Sequence, residues 1–355
     1  MESFKSILPP PTHITHNREQ RQLNIELLRI VAMFLVIMVH SDFYTLGAPD
    51  KTTLLTNPLN FCTRIFFQSL SIICVNVFVL ISGWFGIKAS LKGICNFIFQ
   101  CLFFAFFINV IGWSMGYVNF SIKMALESVM LYHVNWFILA YICLFIFSPV
   151  LNSFAETASK QQFEKILIAF FAFELIWGVS GVAKFIAYGD SATSIIGLYL
   201  LARYLKLYGE KIYNHGVLIY IVSLLAVFVG FFVMEYFDIP GGWAAYCNPL
   251  VITESIGLFL IFNKLRINHE RKIITFFSQS AFAVFLLHIH SAFMGNVFKF
   301  SILYIYDTFS GFKVLALIFL FLVCVFAVAV LMDQPRLWIW RALSRRFFPD
   351  TPAAK

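Results

Sequence analysis

The sequence predicts an all-α integral membrane protein: about ten transmembrane helices in one bundle, with both termini in the cytoplasm. Three observations lead there. Hydrophobic residues make up 60% of the 355-residue chain and charged residues 12%, where a soluble domain carries roughly 25% charged. The apolar residues fall into runs near the ~20 residues that cross a hydrocarbon core. The basic residues gather on alternate sides of those runs, as expected when cytoplasmic loops hold the Lys and Arg excess.

Residues 1–23 are polar, contain Pro9-Pro10-Pro11 and read as a disordered cytoplasmic tail. The apolar run after them is too long for a signal peptide and no small-residue cleavage pattern follows it. Candidate spans then run over about 24–44, 66–87, 94–117, 135–152, 165–184, 192–208, 215–236, 249–263, 274–297 and 313–332. The sixth and eighth are weak. One is short and ends in Arg203 and Lys206; the other is short and contains Glu254. Charge placement keeps both. With the N-terminus inside, 19 of the 26 basic residues fall in internal segments and helix ends and six in external ones. Removing either weak span puts the next basic loop on the wrong side. Residues 24–335 form the membrane domain and 336–355 a basic cytoplasmic tail.

Several function classes drop out. The net charge of +8 is explained by cytoplasmic loops, and no basic segment forms an independent nucleic-acid-binding domain. The seven cysteines show neither CxxC nor metal-ligand spacing, so no metal is expected. Cys62 and Cys247 fall near external ends, but sequence does not establish a pair. Glycine-rich phosphate loops, HExxH and GxSxG are absent. Neither a short-period repeat nor an inverted duplication is apparent. Oligomeric state is not legible.

The first span, Asn24–Tyr44, carries charge that lipid would reject. Arg29 and His40 are eleven residues apart, which returns within ~20° of one helix face about 16 Å further along. Glu26 can pair with Arg29 from three residues away. Such a stripe faces protein or a cavity and marks a functional site by default. The plainer reading has Arg29 snorkelling to the inner interface and His40 as a satisfied interfacial residue. The functional reading gives Arg29 a phosphate or carboxylate to grip and His40 a hydroxyl proton to accept. Asp42 is placed to orient the ring or meet substrate.

Other intramembrane polar residues rank by depth. Glu254 lies roughly level with His40, and His288 and His290 in the outer half of the ninth span, where they could complete a cavity around it. Ser82-Gly83 ends the second span near the level of Arg29; close helix packing competes there with ligand approach. Glu174 near mid-membrane should be paired or protonated. Tyr132, His133 and Trp136 open the fourth span, where an aromatic belt is the plainer explanation.

Taken in order, these segments resemble the membrane-bound acyltransferase-3 family of bacterial envelope O-acyltransferases. IELLRIVAMFLVIMVH matches its arginine, ten residues, histidine motif at Arg29 and His40, and FVLISGWF its Phe-rich Ser-Gly segment. His133-Val134-Asn135-Trp136-Phe137 with Ser148-Pro149 is similar to its His-x-Trp-Phe … Ser-Pro pattern, loosened by Val-Asn. FFSQSAFAVFLLHIH places His288 at a family histidine. The resemblance implies acyl transfer, usually acetyl, from acetyl-CoA or another acyl-CoA to a sugar hydroxyl of an envelope glycan or lipid-linked saccharide. This would take place in the bacterial cytoplasmic membrane, without the soluble esterase-like domain of some relatives. On that reading Arg29, near Ser82 and Gly83, binds the donor, and His40 acts as base or acyl carrier. Glu254, Asp42 or His288 would orient His40 or shuttle protons, while Trp136 and His133 meet the acceptor. The competing class is a ten-span secondary transporter of a small anionic or sugar-like solute. Broken midplane helices would betray it, and none is evident in the sequence.

Overall fold

The computed structural model describes residues 22–119, 121–122, 135–237, 239, 242–267 and 272–349. In chain order the main helices are α1 (Leu23–Ser41), α2 (Pro58–Ser71), α3 (Cys74–Phe85), α4 (Leu91–Ser114), α5 (Trp136–Thr157) and α6 (Lys160–Phe173). There follow α7 (Ala192–Tyr208), α8 (Gly216–Tyr236), α9 (Pro249–Lys264), α10 (Lys272–Gln279), α11 (Ala281–Ile289), α12 (Lys299–Thr308) and α13 (Phe312–Phe347). Strands are absent among the described residues. In hydrocarbon every orphan N–H of a helix start is expensive, and polar side chains meet several of them. Asn57, Ser90, Asn135, Ser191 and Asn248 each accept a first-turn N–H, and Ser159 with Gln162 forms a reciprocal capping box.

Among the described residues seven helical units are long and apolar enough to cross a membrane, Leu23–Leu46, Pro58–Phe85 and Lys272–Ile289 being three of them. The other three predicted spans are shorter. α7 has 17 residues and α9 has 16, about 24–26 Å of helix against a core of ~30 Å. α6 ends after 14 residues and passes through a π-helical turn, Glu174–Gly178. α7 and α9 read weakly because protein, not lipid, covers much of them: Tyr199, Ala202, Val251 and Phe259 are all buried.

α1 is the axis of the bundle. It packs against α2, α3, α9, α10, α11 and α13, and Leu28, Ala32, Val36 and Ile37 are buried along it. The spans are also broken where hydropathy showed none. α2 and α3 part at Ile72–Ile73, α10 and α11 at Ser280, and α11 ends at His290 in an extended residue before a second π-turn, Met294–Phe298. At Ser280 the hydroxyl accepts from Gln334 Nε2 at 3.3 Å. At the other end, α13 runs unbroken to Phe347 through Pro335. Residues 336–347, expected in a tail, continue that helix, and Arg336 is buried. All seven cysteines are free, Cys62 and Cys247 included.

Candidate active site

At the C-terminal end of α1 the ring of His40 meets His288 of α11, with centroids 5.0 Å apart. His40 is half-buried and His288 fully buried. Each Nδ1 lies against a carbonyl four residues back: His40 with Val36 O at 2.8 Å, His288 with Val284 O at 2.7 Å. A carbonyl only accepts, so both Nδ1 atoms carry the proton. His288 Nε2 therefore holds a lone pair, 3.1 Å from His40 Nδ1, and shares that N–H with Val36. Among the described residues no hydrogen-bond partner takes the Nε2 lone pair of His40, which leaves it available for chemistry. Tyr44 packs edge-on against the ring, with Lys299 Nζ 4.5 Å above the tyrosine.

A line of rings leads from this pair into the bundle. Phe285 touches His288, Phe137 touches Phe285, and Tyr141 touches Phe137, with centroids 5.7–5.9 Å apart. The Tyr141 hydroxyl is 3.4 Å from Ser82 Oγ. Trp136 packs beside Phe137 and on Tyr246 at the His40 end. The Trp-Phe and Ser-Gly segments are thus joined to the histidines by contiguous aromatic contacts.

At the far end of α1, Arg29 is bound to Glu26 at 2.7 Å and is about a third exposed, its side chain 37% accessible. Asn24 donates to the carbonyls of Phe262 and Asn263, tying α1 to the end of α9. Gly83 is used for packing. A Cβ there would stand 2.5 Å from Tyr199 O and 2.7 Å from Ala202 Cβ, so its open face meets α7 and leaves no room for a ligand. Ser82 donates to Phe78 O.

Other sequence candidates are placed differently from the expectation. Asp42 does not orient His40: Arg64 Nε donates to it at 2.7 Å, and Arg64 also reaches Gly47 O. Glu254 is buried on α9, and among the described residues neither of its oxygens has a hydrogen-bond partner; it does not bond either histidine. His290 caps the turn after α11 by accepting from Ala292 N at 3.3 Å. His133 and Tyr132 lie outside the described residues.

Two groups escaped the sequence reading. Asp333 and Arg336 form a buried fork, Nε–Oδ1 2.7 Å and a second guanidinium N–H to Oδ2 at 2.8 Å, with Asn96 and Gln100 of α4 alongside. Their i,i+3 spacing was the available signal, but both residues sat beyond the last hydropathy peak. Arg203, read only as an internal cation at the end of the sixth span, tucks its guanidinium against Gly86, within 3.1 Å of where a Cβ would stand.

The acyltransferase-domain family profile matches residues 22–333. The chain belongs to the acyltransferase-3 family. Comparison with curated proteins and with solved structures gives no match. Membership makes the protein a multi-pass membrane acyltransferase, and the matched stretch takes in every described element of the site, from Arg29 to His288. The helix breaks, which a transporter would also show, therefore belong to an acyltransferase fold.

Proposed function

We propose that the protein moves an acyl group, acetyl in the simplest case, from acyl-CoA in the cytoplasm to a hydroxyl of an envelope glycan or lipid-linked saccharide outside. Ten crossings with both termini cytoplasmic fit this assignment. α7, α9 and the α6 unit would be short spans sheltered by their neighbours, and the charge bias favours that orientation. The observation that carries the reading is the free Nε2 of His40, held in one tautomer by Val36 and His288.

In the proposed reaction His40 Nε2 takes the acceptor's hydroxyl proton as the oxygen attacks the thioester carbonyl. The C–S bond breaks, the new C–O bond closes, and the thiolate recovers the proton from the imidazolium. The same lone pair can instead attack the thioester and expel the CoA thiolate, giving an acyl-imidazole; the acceptor hydroxyl then takes the acyl group, freeing the imidazole, and its proton goes to the thiolate. Arg29, at the other end of the stripe, suits the donor's phosphates. The ~16 Å rise between them is comparable with a pantetheine arm. On this reading His288 orients His40, and Trp136 would meet the acceptor.

The test is a proton NMR spectrum of the envelope glycans from cells with and without the gene. Loss of one O-acetyl signal, restored by the wild-type chain and not by His40→Ala, is expected. Identical spectra in all strains would remove the glycan assignment.

A further inference from the structure

A cavity of about 340 Å³ opens at the His40 end of the bundle, between the segment that follows α1, Ile65 in the middle of α2, the end of α8 and the two loops before α7 and α9. Its lining includes Phe43, Phe231, Trp243 and Tyr188, together with Ala48 and one acidic residue, Glu235. We infer that this cavity is a subsite for one neutral sugar unit of the acceptor, adjoining the unit presented to His40. The inference rests on the glycan-acceptor reading and extends it to a place and a chemical class.

The wall is built before any ligand arrives. Tyr188 is the one non-glycine residue with positive φ among the described residues (58°), a conformation that costs energy and persists only where the surroundings enforce it. Its side chain lies where Cβ atoms on Gly181 and Gly242 would be, the hydroxyl 2.5 Å from the first and the ring 2.3 Å from the second. Trp243 lies across Gly230 in the same way, and its Nε1 donates to Val227 O at 2.8 Å. Phe43 packs edge-on against Phe231 at 5.9 Å. The near wall is the segment leaving α1, pinned by Arg64 through Asp42 and Gly47 O. That same segment follows directly from His40.

Chemistry selects the occupant. Aromatic faces match the apolar C–H face of a pyranose, and one carboxylate accepts hydrogen bonds from its hydroxyls. The volume lies at the small end of ligand pockets, right for one ring with its substituents. Glu235 would repel an acidic sugar at this position. A lipid chain would leave the carboxylate unanswered.

Saturation-transfer NMR on the full chain in lipid nanodiscs tests this, because it reads binding without turnover. The probes are neutral methyl pyranosides (glucose, galactose, mannose and N-acetylglucosamine forms), methyl glucuronide and decanol. Expected is a signal from at least one neutral pyranoside and none from the glucuronide. That signal should weaken about tenfold in Glu235→Gln, as for one lost charge-assisted hydrogen bond, and vanish in Ala48→Trp, which fills the cavity from an exposed position. His40→Ala should bind as wild type. Saturation of decanol alone, of no probe, or of a pyranoside equally in Ala48→Trp overturns the inference. Pyranoside binding without any acetyl transfer to glycan would instead discard the functional reading and leave the sugar site standing.

Discussion

The two ring nitrogens of His40 have different neighbours, and that difference sets what the ring can do. Nδ1 is committed to Val36 O and His288, so proton traffic is left to Nε2. In the proposed reaction His288 is a positioning residue: it accepts from His40 and would steady the imidazolium formed during transfer. His288→Ala should lower kcat by about ten- to a hundredfold with little change in KM, and His288→Gln, whose amide oxygen still accepts, should recover part of it. Equal loss in both variants, with folding intact, would reduce His288 to packing. A second residue-scale expectation concerns Asp333. Asp333→Ala strands a buried guanidinium and should destabilise the protein by about 3–5 kcal/mol, seen as a marked fall in melting temperature by fluorescence-detected size exclusion. The Arg29–His40 stripe was legible because helix period alone puts both residues on one face. Asp42 was misread because its partner, Arg64, stands 22 positions away, and no local pattern announces such a pairing.

Among the elements, the α3–α7 crossing ties the Ser-Gly segment to the rest of the site. Gly83 lets the two backbones approach, while Ser82 reaches the ring line through Tyr141. Gly83→Ala drives a methyl into Tyr199 O and Ala202 and should cost about 1–3 kcal/mol of stability. A lowered thermal midpoint, with activity per folded molecule reduced as the crossing opens, is the expected pair of results. An unchanged midpoint would show that the crossing is loose. Span existence was legible from apolar runs, but the breaks at Ile72–Ile73, Ser280 and His290 were not. Hydropathy sums over a window, and Ser71, Ser280 and His290 are lost among their apolar neighbours. The breaks matter for placement: the α10–α11 break and the end of α11 bracket the short helix that carries His288.

For the whole molecule, the proposed reaction would set donor and acceptor at opposite ends of one axis. Arg29, Arg203 and the α7 and α9 C-termini share one end, and His40, His288 and the aromatic cavity the other. The class of protein could be read from composition, because 60% hydrophobic residues leave few alternatives. How the helices pack around α1 could not, since α7 packs on α3, and α9 on α3 and α1 as well as on α8, and such long-range partners leave no local pattern. Orientation has its own check. Single cysteines at positions 51 and 313 should react with an impermeant maleimide added outside intact cells, and cysteines at 160 and 272 only after permeabilisation. The reverse pattern would invert the proposed path from donor to acceptor.

In the proposed reaction His40 is the reacting centre of acyl transfer from acyl-CoA to an envelope glycan. The most direct test is transfer of radiolabel from [acetyl-¹⁴C]acetyl-CoA to glycan by membranes holding equal amounts of wild type, His40→Ala or Arg29→Ala. The expected result is label in glycan with wild type, none above background with His40→Ala, and a large rise in donor KM with Arg29→Ala. Equal labelling by wild type and His40→Ala would contradict it.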